Sequence, residues 1–106
     1  MSKWIDAKKQ LPEDSQWIVM HVNIADPDIA PFKKVVYELG MYVATPYRIA
    51  DKDARNIKTD NYELRSASIW LLPGWYRVYN HADGVHYEDL PGDVALWKDF
   101  LGGAEL

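Results

Sequence analysis

Strict alternation of side chains is clearest over residues 16–24, Gln-Trp-Ile-Val-Met-His-Val-Asn-Ile. One face of this segment is wholly apolar and contains Ile18, Met20, Val22 and Ile24. The opposite face mixes apolar and polar side chains and contains Trp17, Val19, His21 and Asn23. A period of two predicts a β-strand that turns its apolar face into a core.

Further apolar runs, bounded by turn-forming residues, predict four more strands. They span residues 33–45, 66–72, 75–80 and 85–89. Asp26 begins a loop that runs through Pro31. Gly40 lies inside the second strand, which predicts a bulge or bend there.

The predicted helical parts are short. Asp6 is placed to cap a single turn that Pro12 ends. In the polar segment 47–63, Ala50, Ala54 and Ile57 form a weak apolar stripe typical of a short helix. Residues 93–101 have helical spacing, with Val94, Trp97 and Leu101 on one side, although a strand over 94–97 fits almost as well. We therefore expect an α+β fold, a mostly antiparallel sheet with one or two short helices, in which residues 1–106 form a single compact domain.

Composition narrows the class of protein. The 106 residues are 48% hydrophobic and 26% charged, a globular balance. The chain has no Cys, which excludes thiolate metal sites and thiol catalysis and favours a reducing compartment. The N-terminal residues contain no apolar stretch typical of a signal peptide. We expect a cytoplasmic protein.

Charge is unevenly distributed along the chain. The net charge is −4, and residues 51–106 contain six basic and ten acidic side chains. Such a chain is repelled by duplex DNA and by anionic membranes, so we expect no direct nucleic-acid or membrane partner, whereas a basic partner is compatible. The acidic residues predicted to be solvent-exposed are Glu88, Asp89, Asp93 and Asp99.

The segment His81-Ala82-Asp83-Gly84-Val85-His86 predicts a β-hairpin. An Asp83-Gly84 type I′ turn would place His81 opposite His86. Tyr79 and Glu88 would form the next pair on the same face. His81, His86 and Glu88 could then bind a divalent metal such as Zn²⁺ or Ni²⁺, and no other cofactor is expected. The alternative is a polar hairpin tip whose rings face water.

Aromatic residues are numerous, with five Trp and seven Tyr. Trp70, Trp75, Arg77 and Tyr79 are the predicted binding residues, at a sheet edge that Pro73-Gly74 interrupts. Core packing is the alternative for these rings. An aromatic edge of this kind also predicts a homodimer. No catalytic residue is predicted, because the chain contains no Gly-rich phosphate loop, nucleophile elbow or His-Glu-x-x-His motif.

Four short motifs in the first and last thirds of the chain resemble those of a known family. Trp4-Ile5 is followed by Leu11-Pro12-Glu13, and Gly74-Trp75-Tyr76 and Val94-Ala95-Leu96-Trp97 come later. This order resembles the phage and prophage family known as domain of unknown function 551. Lys98-Asp99-Phe100-Leu101 departs from the Pro-rich ending usual in that family. The resemblance implies a phage or prophage origin, hence the cytoplasm of a bacterial host, and it implies no activity.

Two hypotheses follow. In the first, a small non-enzymatic protein binds a host protein or protein complex and inhibits a defence or regulatory assembly. In the second, the chain is a metal- or small-ligand-binding domain centred on the His81 and His86 hairpin.

Overall fold

The computed structural model of the chain describes residues 3–24 and 34–100. Strands account for most of these residues, and the predicted loop from Asp26 through Pro31 lies outside them. The strands are β1 (Ile5–Asp6), β2 (Trp17–Ile24), β3 (Lys34–Val43), β4 (Tyr47–Arg48), β5 (Ile57–Lys58), β6 (Tyr62–Arg65), β7 (Ser68–Leu71), β8 (Gly74–His81), β9 (Gly84–Asp89) and β10 (Asp93–Asp99). Within the described ranges the helical part is a 3₁₀ helix, Asp51–Asn56.

The strands form two sheets. The large sheet has seven strands in the order β1-β10-β2-β3-β8-β9-β5, and the small sheet has three in the order β4-β7-β6. Neighbouring strands are antiparallel except β5, which is parallel to β9. The mostly antiparallel sheet is therefore confirmed, while the α part of the predicted α+β class reduces to the 3₁₀ helix. The described chain has no helix with the length and apolar character needed to cross a bilayer.

Two hydrophobic clusters lie on opposite faces of the large sheet. One contains Ile18, Met20, Val22 and Trp97, and the first three are fully buried. This confirms the predicted core face of β2, although its last member, Ile24, is only half-buried. The other cluster joins the large sheet to the small one and contains Met41, Val43, Ile49, Leu71, Tyr76, Val78 and Tyr87.

Of the bulge or bend predicted at Gly40, the bulge is wrong. The register from β2 to β3 runs without a shift through Gly40, which pairs with Ile18 on one side and with Arg77 on the other. A Cβ at this position would overlap the backbone carbonyl of Tyr76. Gly40 therefore permits close approach of β8 within a regular strand.

The irregularity of the sheet lies in β10 instead. The register of β10 against β2 shifts between Val94 and Leu96, so Ala95 is an extra residue. Val94 and Trp97 consequently pack in the same cluster although they are three positions apart. The segment is a strand, and the helical alternative for it is wrong.

The excursion between Tyr47 and Glu63 is more ordered than its polar pattern predicts. It contains β4, the 3₁₀ helix, β5 and the start of β6. The helix buries Asp53 and Asn56, whereas Ala50 of the predicted apolar stripe is exposed. Ile57 of the same stripe packs against the core, while the buried Asp53 and Asn56 are hydrogen-bonded.

Candidate functional site

The hairpin between β8 and β9 turns one residue earlier than predicted. Ala82 and Asp83 form the turn, and Gly84 follows with a φ of +123°. A positive φ just after a two-residue turn is readily adopted by glycine because it lacks a Cβ. The predicted Asp83-Gly84 turn is therefore wrong.

The observed turn changes which residues lie opposite each other. His81 pairs with Gly84 rather than with His86, and Tyr79 pairs with His86 rather than with Glu88. Each partner has moved by two positions along β9, which leaves every side chain on its predicted face. The two histidines and Glu88 therefore still share one face of the sheet.

Glu88 belongs to a polar row across β3, β8 and β9. The Arg77 guanidinium lies 2.9 Å from Glu38 Oε2 and 3.2 Å from Glu88 Oε1. The Tyr79 hydroxyl donates to Glu88 Oε2 at 2.5 Å, and this bond, together with Arg77, lowers the pKa of Glu88. Glu88 is thus held by Arg77 and Tyr79, away from the histidines. Its side chain is only 19% exposed, so the prediction of a solvated Glu88 is wrong.

A separate cluster forms at the tip of the hairpin. His86 Nε2 lies 2.7 Å from Asp83 Oδ1, and His81 Nδ1 lies 3.4 Å from the same oxygen. The rings of Tyr79 and His86 stack with centroids 4.9 Å apart. Asp83, which the sequence pattern identifies only as a turn former, therefore takes the place predicted for Glu88.

Two buried side chains of the 3₁₀ helix hold this turn. Asp53 Oδ1 accepts a hydrogen bond from the Val85 backbone N–H at 3.0 Å. Asn56 donates to the Asp83 backbone carbonyl at 3.4 Å. The turn is thus anchored from the helix on both sides of Gly84.

The four predicted binding residues do not share one surface. Trp70 lies in the small sheet and is paired on both sides, with Arg48 and with Glu63, so the predicted free edge is wrong there. Trp75 lies in β8 of the large sheet, where its ring contacts that of Tyr42 at 4.8 Å. Arg77 and Tyr79 are in direct contact, with the guanidinium 4.9 Å from the ring centroid.

An aromatic surface occurs elsewhere, on the large sheet. The Tyr37 ring lies 5.7 Å from Trp4 and 5.5 Å from His21, and Lys98 Nζ lies 4.7 Å from the Trp4 ring. Trp4, His21 and Tyr37 are outside both core clusters of the described residues. We call Trp4, His21, Tyr37 and Lys98 the aromatic face.

The aromatic face follows from strand pairing. His21 lies directly opposite Tyr37 in the β2–β3 ladder, so both side chains point to the same side. That side is opposite to the one containing Met20 and Val22. The pattern of β2 alone places His21 on the less apolar face, but the contact with Trp4 and Tyr37 depends on the strand order.

A cleft lies near this face, where β3 and β8 separate. In the described part of the chain, pairing between these strands runs from Val43 and Gly74 to Gly40 and Arg77 and ends there. The resulting cleft has a volume of about 550 Å³ and is lined by Gln16, Trp17, Leu39, Tyr79, Asn80 and Phe100. Ligand pockets commonly have volumes in this range, so size alone does not distinguish a ligand site from a gap between strands.

Comparisons with known proteins do not assign this site. No family model, no curated protein and no solved structure matches the chain. The resemblance to domain of unknown function 551 therefore stays a prediction.

Proposed function

We propose that this chain acts without catalysis, by binding another protein through the aromatic face. The observation that carries the proposal is the contact of two exposed rings, Trp4 and Tyr37, with each other and with the half-buried His21. Trp4 is 37% exposed and Tyr37 is 64% exposed, although both rings contact other rings. Large apolar rings that stay in water are costly, and a partner would cover them.

The arrangement suits a binding surface on energetic grounds. Trp and Tyr are enriched among the residues that contribute most to protein interfaces. Their rings have few rotatable bonds, and contact with one another restricts them before a partner arrives. Little conformational entropy would then be lost on association.

The charge of the chain favours a protein over a nucleic acid or a membrane as the partner. The net charge of −4 opposes binding to nucleic acid and to anionic membranes, which favours a protein partner. Lys98 lies beside Trp4 on the aromatic face. We expect the partner to present an apolar or aromatic side chain flanked by a carboxylate that approaches Lys98.

The identity of the partner is proposed from the sequence: its small size, acidic charge, many aromatic residues and lack of a catalytic motif, together with the resemblance that implies a phage origin. In this proposal, the partner is a host protein or complex in the cytoplasm of a bacterium, and binding inhibits a defence or regulatory assembly. A second copy of the chain is the competing occupant of the aromatic face.

Affinity capture followed by titration tests the proposal. The immobilised wild-type chain and a Trp4→Ala/Tyr37→Ala variant are exposed to the same bacterial lysate, and captured proteins are identified by mass spectrometry. A captured protein is then purified and titrated against both chains. We expect the double variant to bind it at least about tenfold more weakly, since loss of an interface aromatic commonly costs more than about 1 kcal/mol.

Leu64→Ser is the matched control. Leu64 is 70% exposed but lies in β6 of the small sheet. This variant should bind the partner as the wild type does. Equal binding by all three chains contradicts the proposal, and a concentration-dependent dimer that the double variant abolishes would assign the face to self-association instead.

A further inference from the structure

The tip of the β8–β9 hairpin brings together three side chains that can ligate a metal. Ligand atoms of His81, Asp83 and His86 all lie within 4.8 Å of one another. This cluster shares no residue with the aromatic face, so an inference drawn from it is independent of the proposed function.

The donor atoms suit a first-row transition metal. Two imidazole nitrogens and one carboxylate oxygen form a common ligand set for Zn²⁺, which leaves a fourth position for water. Tetrahedral Zn²⁺ with ligands at about 2.1 Å needs donor atoms about 3.4 Å apart. The 3.4 Å separation of His81 Nδ1 from Asp83 Oδ1 matches this value, whereas His86 Nε2 lies 2.7 Å from the same oxygen, at hydrogen-bond distance, and would have to move away from it. Small side-chain rotations would therefore suffice to admit the ion.

The cluster combines rigid ligands with an open side. His86 is stacked on Tyr79 and its side chain is 13% exposed. The turn that carries Asp83 is anchored by Asn56, and the strand after it by Asp53. His81 is 66% exposed, which provides a path for the ion and freedom for the last ligand to adjust.

We infer that His81, Asp83 and His86 form a binding site for a divalent transition metal, with Zn²⁺ as the reference ion. Imidazole ligands favour Zn²⁺ and Ni²⁺ over Mg²⁺, which prefers oxygen. His86 Nδ1 is buried and has no hydrogen-bond partner in the described chain. A hydrogen-bond acceptor on the second nitrogen of a ligating histidine commonly strengthens metal binding by about 10–100-fold. Because His86 lacks one, we expect an affinity only in the micromolar range.

Calorimetric titration of ZnCl₂ into untagged, chelator-treated protein tests the inference. The wild-type chain should bind one Zn²⁺, and MgCl₂ under the same conditions should give no heat of binding. His81→Ala and Asp83→Asn each remove a ligand at an exposed position and should weaken Zn²⁺ binding at least about tenfold. Circular dichroism of each variant establishes that it remains folded.

His21→Gln provides the control, because His21 is the third histidine and lies on β2. It should bind Zn²⁺ as the wild type does. Zn²⁺ should also raise the melting temperature of the wild type and His21→Gln chains but not of His81→Ala, since a ligand of the folded state stabilises it. Absence of Zn²⁺ binding, or binding that survives His81→Ala and Asp83→Asn, overturns the inference.

Discussion

The carboxylate of Asp53 accepts a hydrogen bond from the backbone N–H of Val85 at 3.0 Å. Asp53 is 3% exposed and belongs to the 3₁₀ helix, whereas Val85 belongs to β9 of the large sheet. This bond joins the segment between Tyr47 and Glu63 to the hairpin that contains His81 and His86. A buried carboxylate needs such partners because its desolvation is otherwise costly.

Gly84→Ala should destabilise the fold by about 1–3 kcal/mol, since a Cβ would overlap the Asp53 carboxylate at a backbone φ that alanine adopts poorly. Urea unfolding measures the loss. In an Asp53→Ala background the overlap is removed, so the same glycine substitution should cost less. Equal costs in both backgrounds would show that the close approach contributes nothing.

Ala67→Gly should stabilise the fold by about 1 kcal/mol, because the left-handed backbone conformation is unfavourable for alanine. Ser66 and Ala67 form the turn between β6 and β7 with φ of +48° and +65°. Ala82→Gly is the control, because Ala82 also lies in a turn but its φ is not positive. This variant should lose up to about 1 kcal/mol of stability, since glycine has more conformational freedom in the unfolded chain. Chemical denaturation of the two variants should therefore shift in opposite directions.

Stability should fall at alkaline pH, and Tyr87 should contribute to the fall. Burial raises the pKa of Tyr87 well above its ordinary value of 10.0. Below pH 10, the ordinary pKa, Tyr87 is protonated in both the folded and the unfolded chain, and its contribution to stability is fully present. Above it, the unfolded chain loses the proton while the folded chain retains it, so the free energy of unfolding decreases by about 1.4 kcal/mol per pH unit.

Tyr87→Phe should reduce this alkaline slope by the contribution of one tyrosine. Tyr62→Phe is the control, because Tyr62 is 41% exposed. Its slope should match that of the wild type in denaturation curves measured from pH 9 upward. Parallel curves for wild type and Tyr87→Phe would show that the buried hydroxyl has no part in the pH dependence.

In β2, the local pattern of apolar and polar residues correctly predicts which side chains are buried. Ile18, Met20 and Val22 alternate without interruption, and all three are fully buried. In β10 the same logic fails because Ala95 inserts an extra residue. Val94 and Trp97 then acquire a spacing of three that imitates a helix. A bulge is defined by pairing with another strand, so no local pattern distinguishes it from a helical turn.

For the candidate metal site, too, the sequence predicted some of the residues and the tertiary structure added the rest. The sequence placed His81 and His86 on one face of a hairpin, because the predicted and the observed turn both have two residues, and alternation then assigns the same faces. It did not reveal Asp83 as their neighbour, since that depends on which two residues form the turn. A one-residue change in the turn re-pairs every opposite residue along β9.

What the sequence by itself determined is therefore the local hydrophobic pattern: the apolar face of β2, the strands around it and the faces of the hairpin. The tertiary structure decided which strands become neighbours. It brought Trp4 and Tyr37, 33 positions apart, into ring contact, and it set Asp53 against the turn of the hairpin. Alternation acts between adjacent residues, whereas strand order is selected by how the whole chain buries its apolar surface, and contacts of that range leave no local pattern.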